Sequence, residues 1–141
     1  MDDPFDLKRF VDAQAKAYAW ARAELAAGKK QSHWMWFVFP QLKGLGTSST
    51  AQRYGIASLD EAVAYSVHPE LGPRLVECTR LVLAIQGKTA RAILGTPDDL
   101  KLCSSMTLFE LAAPAEPAFP NALEKYYAGR RDPKTLALLG R

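Results

Sequence analysis

The sequence predicts an all-α fold, and three observations carry that reading. Apolar residues recur at steps of three and four along most of the chain. Helix-opening patterns, Ser58-Leu59-Asp60-Glu61 and Asp132-Pro133, stand where new periodic stretches begin. The one stretch that could form a strand, Phe37-Val38-Phe39, is too short and isolated to build a sheet. The expected architecture is one compact domain over residues 1–141, a bundle of about six to eight helices.

The first helix is predicted over Asp6–Ala27. Leu7, Phe10, Val11, Gln14, Ala17, Tyr18, Ala21 and Leu25 form one stripe, and Gly28 stops it. Lys29 and Lys30 then suit the negative end of the helix. Gln14 is the anomaly, because an amide inside an apolar stripe must find partners. A short helix is expected to begin near Ser48, and the Ser-x-x-Glu box opens another over Leu59–Val67. His68-Pro69 ends that helix, with His68 placed to cap and Pro69 to begin a helix running to Gln86. Its buried seam reads Leu71, Leu75, Cys78, Val82 and Ile85.

Ala90–Leu94 is a short helix closed by Gly95. Thr96-Pro97-Asp98-Asp99 predicts a helix from Pro97 to Ala112, capped by the threonine hydroxyl and apolar nearly all round. Three prolines make Ala113–Pro120 a loop in this reading. Helices over Asn121–Ala128 and Pro133–Leu139 complete the chain. The core is expected to rest on Phe10, Tyr18, Leu75, Val82, Leu102, Met106 and Phe109, with one or both of Trp34 and Trp36.

Composition narrows the function classes. A net charge of +3 is below what a dedicated nucleic-acid binder shows, so nucleic acid is not the expected partner. Cys78 and Cys103 lie far apart and no Cys/His cluster has zinc spacing, so neither a metal nor a cofactor is expected. No apolar run is long enough to span a membrane, and Met1-Asp2-Asp3-Pro4-Phe5-Asp6 lacks the features of a signal peptide. A cytoplasmic placement follows as the expectation.

The unusual stretch is residues 25–59, which contain no acidic side chain. Inside it, His33-Trp34-Met35-Trp36-Phe37 precedes Lys43-Gly44-Leu45-Gly46. An aromatic wall beside a positive, glycine-rich turn suits an anionic ligand that carries a flat ring; it equally suits a core segment capped by a loop. The turn is neither a Walker A loop nor a Rossmann fingerprint, since the lysine precedes the glycines and no βαβ unit surrounds it. Further along, Lys101, Ser104 and Ser105 share helical spacing, which reads as a polar face or as a lysine beside nucleophilic hydroxyls. Glu24 and Glu110 are the acids best placed in sequence for general acid or base work, and neither belongs to a paired-carboxylate motif.

Three blocks together resemble the bacterial domain-of-unknown-function family 1810. They are His33-Trp34-Met35-Trp36-Phe37 with Phe39-Pro40-Gln41 and Gly44-Leu45-Gly46; His68-Pro69 with Leu71-Gly72 and Arg74-Leu75; and Lys101 with Ser104-Ser105-Met106-Thr107-Leu108-Phe109. The resemblance implies a small all-helical domain without an established activity. Some members carry a calpastatin label, yet nothing in this chain resembles a disordered protease inhibitor. The candidate ligand-binding set is His33, Trp34, Trp36, Gln41, Lys43, Gly44, Gly46, Lys101, Ser104 and Ser105. The expected function is binding, with or without hydrolytic processing, of a phosphorylated or nucleotide-like anionic small molecule. The alternative is a non-catalytic helical interaction module for an acidic partner.

Overall fold

Nine helices make up the protein in the computed structural model, which describes residues 2–141. They are α1 (Lys8–Ala26), α2 (Met35–Val38), α3 (Ser49–Tyr54), α4 (Leu59–Val67), α5 (Leu71–Ala84), α6 (Ala90–Leu94), α7 (Asp98–Ala112), α8 (Ala118–Tyr127) and α9 (Pro133–Leu138). Among the described residues the only extended pairing is an isolated parallel bridge between Leu42 and Ile56. The all-α reading therefore holds, and the helix number rises because the aromatic block coils into α2.

That coil corrects the strand expectation for Phe37-Val38-Phe39. The N–H groups of Val38 and Phe39 reach back to the carbonyls of Trp34 and Met35 at 3.1 Å each, closing one helical turn. Gln14 explains why the turn stays docked. Its amide donates to the Phe37 carbonyl at 2.6 Å and lies 3.0 Å from the Tyr65 hydroxyl, while its oxygen accepts from Arg74 at 3.4 Å. The polar residue in the apolar stripe is thus a fully partnered clamp between α1, α2, α4 and α5.

α7 is the central element, with α4, α6, α8 and α9 packed on it. Central position accounts for its nearly all-round apolar sequence, since every residue from Ser104 to Phe109 is buried. The core joins Phe10, Trp34, Leu75, Val82, Leu102, Met106 and Phe109 as expected. Tyr18 is only partly buried, because its hydroxyl reaches out to the Glu77 carboxylate.

The caps explain most boundaries. Ser48, Ser58 and Asp132 accept from the N–H groups of Ala51, Glu61 and Thr135 at 3.1, 3.2 and 3.0 Å, opening α3, α4 and α9. His68 caps as expected: its Nδ1 accepts from the Glu70 and Leu71 N–H groups at 3.1 and 3.2 Å, so α5 starts at Leu71 rather than Pro69. Two expectations fail at prolines. Thr96 makes no capping bond to α7. α8 begins at Ala118, inside the proline-rich stretch, because Pro120 sits in the first turn, where a missing N–H costs nothing.

One ion pair locks the N-terminal half. The Arg9 guanidinium meets Glu61 at 2.7 Å, with side chains only 9% and 3% exposed. It also donates to the carbonyls of Phe5, Asp6, Arg53 and Gly55. These bonds tie α1 to the end of α3 and the start of α4. A buried pair broken on one side typically costs about 3–5 kcal/mol, so this contact holds the segment carrying the bridge in place.

Candidate functional site

A cleft of about 1050 Å³ opens between three segments far apart in sequence. The 41–51 connection, the first turns of α7, and the stretch from the end of α8 into α9 form its walls. Trp36 adds a ring from α2. The size is at the upper end of the range of about 300–1,000 Å³ usual for small-molecule sites.

Five of the ten candidate residues line it: Trp36, Gln41, Gly46, Lys101 and Ser104. Lys101 lies over the Trp36 ring, 4.6 Å from its centroid, and pairs with Asp98 at 3.4 Å. Asp98 is shared, since Lys30 also meets it at 3.0 Å while lying 5.1 Å from the Trp34 ring centroid. Each of the two tryptophans therefore has its own lysine, and one carboxylate holds both lysines. Gly46 is required sterically, because a Cβ there would fall 2.7 Å from the Ala51 side chain.

Ser104 is less available than its position suggests. Its hydroxyl lies 3.2 Å from both the Leu100 carbonyl and Asp132 Oδ2. Asp132 Oδ2 also receives the N–H and hydroxyl of Thr135, so this serine belongs to the cap of α9. Lys101 forms no hydrogen bond to it, and the lysine–serine nucleophile reading has no geometric support. Cys103 also lines the cleft. Burial first, and the Asp132 charge next, push its thiol up to about 11, so it stays protonated at neutral pH.

The other five candidates lie outside the cleft, each for a local reason. Trp34 is fully buried, since one helical turn cannot face Trp34 and Trp36 the same way. Its Nε1–H donates to Glu24 at 2.9 Å. His33, just before that turn, is exposed to solvent. Lys43 is exposed, with its backbone N–H committed to the Ile56 carbonyl at 2.7 Å. Gly44 supplies the positive φ of 102° that the turn needs, and its nearest neighbour across the turn is Leu138. Ser105, one position beyond Ser104, rotates about 100° into the core, where its hydroxyl has no partner.

The two acids are structural. Glu24 accepts from the Gln31 and Ser32 N–H groups, the Ser32 hydroxyl and the Trp34 indole. Burial alone would raise its carboxyl, but the bonds from Ser32, Gln31 and Trp34 outweigh that and hold it near 2. Glu110 forks onto Arg131 at 2.9 and 2.5 Å.

The sequence reading missed the whole C-terminal wall: Tyr126, Tyr127, Arg130, Arg131, Asp132 and Lys134. The signal was present, because Tyr126-Tyr127-Ala128-Gly129-Arg130-Arg131 places paired aromatics against paired arginines just before a helix cap. Both tyrosines are held by their hydroxyls, which donate to the Val82 and Asp99 carbonyls at 2.5 Å. Arg130 and Lys134 are exposed and form no ion pair among the described residues. Four cations, Lys101, Arg130, Arg131 and Lys134, line the cleft against one carboxylate, Asp132, and Lys101 and Arg131 are already paired with Asp98 and Glu110.

Among the described residues no group of three or more His, Cys, Asp or Glu side chains is placed to hold a metal ion. Nor, among the described residues, is any helix long and apolar enough to cross a membrane.

The structure is that of a small helical protein with a cleft walled by aromatic and cationic side chains. The chain belongs to the DUF1810 family of proteins of unknown function, whose model matches residues 4–139. It is similar to the conserved hypothetical protein Rv1873 from Mycobacterium tuberculosis, known from a crystal structure. The two are 60% identical, the match covers 99% of each chain, and the TM-score is 0.97. No curated protein matches the chain.

Proposed function

We propose that the cleft binds a phosphorylated or nucleotide-like small anion. The observation that carries this reading is the charge of its walls. Four cations line the cleft against the single carboxylate of Asp132, and two of them, Arg130 and Lys134, form no ion pair among the described residues. Unpaired cations facing a concave, aromatic-walled space attract anions and gain in strength as water is displaced. Binding without turnover fits the groups present, because Ser104 is engaged in a cap and the Cys103 thiol stays protonated.

A second reading draws on Leu100, which lines the cleft and is 62% exposed. An acidic peptide with one apolar residue would satisfy both features, and the protein would then be an interaction module.

Thermal-shift and calorimetric titration with pyrophosphate, ribose 5-phosphate and nucleoside phosphates tests the first reading. A ligand at 100 times its Kd adds about 2.7 kcal/mol of stability. The double variant Arg130→Ala/Lys134→Ala is expected to abolish the shift while leaving the unliganded midpoint unchanged, since both side chains are exposed. Absence of any shift across these anions, with an acidic peptide binding instead, favours the interaction module.

A further inference from the structure

We infer that Gln41 reads the edge of a nucleobase in this cleft, so that the ligand is a nucleotide rather than a ringless phosphate. The inference rests on the anion-binding reading above and adds the ligand's other half.

Gln41 has a fixed root. Its carbonyl accepts from the Ile56 N–H at 2.9 Å, and its neighbours Pro40 and Leu42 are both buried. The side chain is half-buried and lines the cleft, yet its amide makes no hydrogen bond among the described residues. Gln31 and Gln86 also lack side-chain partners among the described residues, but both are exposed, whereas the other two glutamines are bonded. Gln14 has three side-chain partners, and Gln52 donates to the Thr47 carbonyl at 3.0 Å. A half-buried amide that lines a cleft without a protein partner keeps its donor and acceptor available to a ligand.

Its surroundings supply the rest. Gln41, Trp36 and Lys101 line both the cleft and a small recess beside it, so the three stand together at the α2 end. Trp36 resembles Gln41 in one respect. Its indole N–H has no partner among the described residues, whereas that of Trp34 is taken by Glu24. Lys101 lies over one face of Trp36 and is held by Asp98. A heteroaromatic ring stacks on that face by moving the lysine aside, and its adjacent donor and acceptor then pair with the Gln41 amide. A sugar phosphate offers no such edge and no face to stack.

Calorimetric titration of AMP, GMP, CMP and ribose 5-phosphate into the wild-type protein and Gln41→Leu tests this. At least one nucleotide should bind about 10-fold or more tightly than ribose 5-phosphate. Gln41→Leu should erase most of that advantage while changing ribose 5-phosphate affinity less than about 2-fold. The unliganded thermal midpoint checks folding, and Gln41→Met, which keeps the length without a charge, donor or amide acceptor, serves if the leucine variant unfolds. Ribose 5-phosphate binding as tightly as every nucleotide, or full nucleotide affinity in both variants, overturns the role of Gln41 and leaves the anion site standing. If none of the four binds, the anion-binding reading falls and takes this inference with it.

Discussion

Removing the Glu24 carboxylate should destabilise the protein by an amount that can be worked from its partners. In Glu24→Ala the Trp34 indole N–H, in a fully buried ring, loses its acceptor. A buried donor left unsatisfied costs about 1–3 kcal/mol. Gln31 is exposed and Ser32 half-buried, so their donors rehydrate and add about 1 kcal/mol more. The expected total is about 2–4 kcal/mol. A second route gives the charge-dependent share. The fall of the carboxyl from 4.5 to about 2 corresponds to roughly 3 kcal/mol at full strength. Solvent screening of a half-buried group reduces this to about 1–2 kcal/mol. Because the folded-state value lies below the unfolded one, this share is complete above pH 4.5 and disappears as pH falls through about 2. Denaturant midpoints of wild type and Glu24→Ala at pH 7 and near pH 2 provide the assay. A wide gap at pH 7 that narrows by about 1–2 kcal/mol in acid is the expected result. No gap at pH 7, or one of equal size at both pH values, would refute the reasoning.

Gln14→Leu should cost about 2–3 kcal/mol, because it strips the Phe37 carbonyl and the buried Tyr65 hydroxyl of a partner. A wild-type urea midpoint would show that the α2 turn does not depend on this clamp. Gly72→Ala should be more damaging than a helical glycine-to-alanine change usually is, since the new methyl would lie 2.3 Å from the Ser66 carbonyl oxygen. The measured result should be a lower thermal midpoint. A rise, as helix propensity alone predicts, would mean that α4 and α5 part easily.

Local signals in the sequence placed most of the helices. The Ser58 cap and the Asp132-Pro133 start depend on bonds within four residues, and both form, although Glu61 reaches back to the Ala57 N–H rather than to that of Ser58. Apart from the two proline-bearing helix starts, failures came where distant partners decide. Phe37 coils instead of extending because Gln14, from another helix, captures its carbonyl. Ser105 and Ser104 carry the same chemistry one position apart, and only the packing around α7 sends one into the core and the other to the cleft. The site was half legible for the same reason. Trp36, Gln41 and Lys101 belong to blocks that stand out by composition, whereas Arg130 and Lys134 become wall residues only once α9 folds back onto α7.

That last wall gives the cleft a history within each molecule. Trp36 and Arg130 are separated by most of the chain, and closing so long a loop is entropically later than forming the local helices between them. The segments before Tyr126 carry the tryptophan, the glutamine and the lysine, and the segment beyond it supplies the facing wall that makes the surface concave. The shape of the cleft therefore depends on that last segment being docked, which helical content alone does not measure.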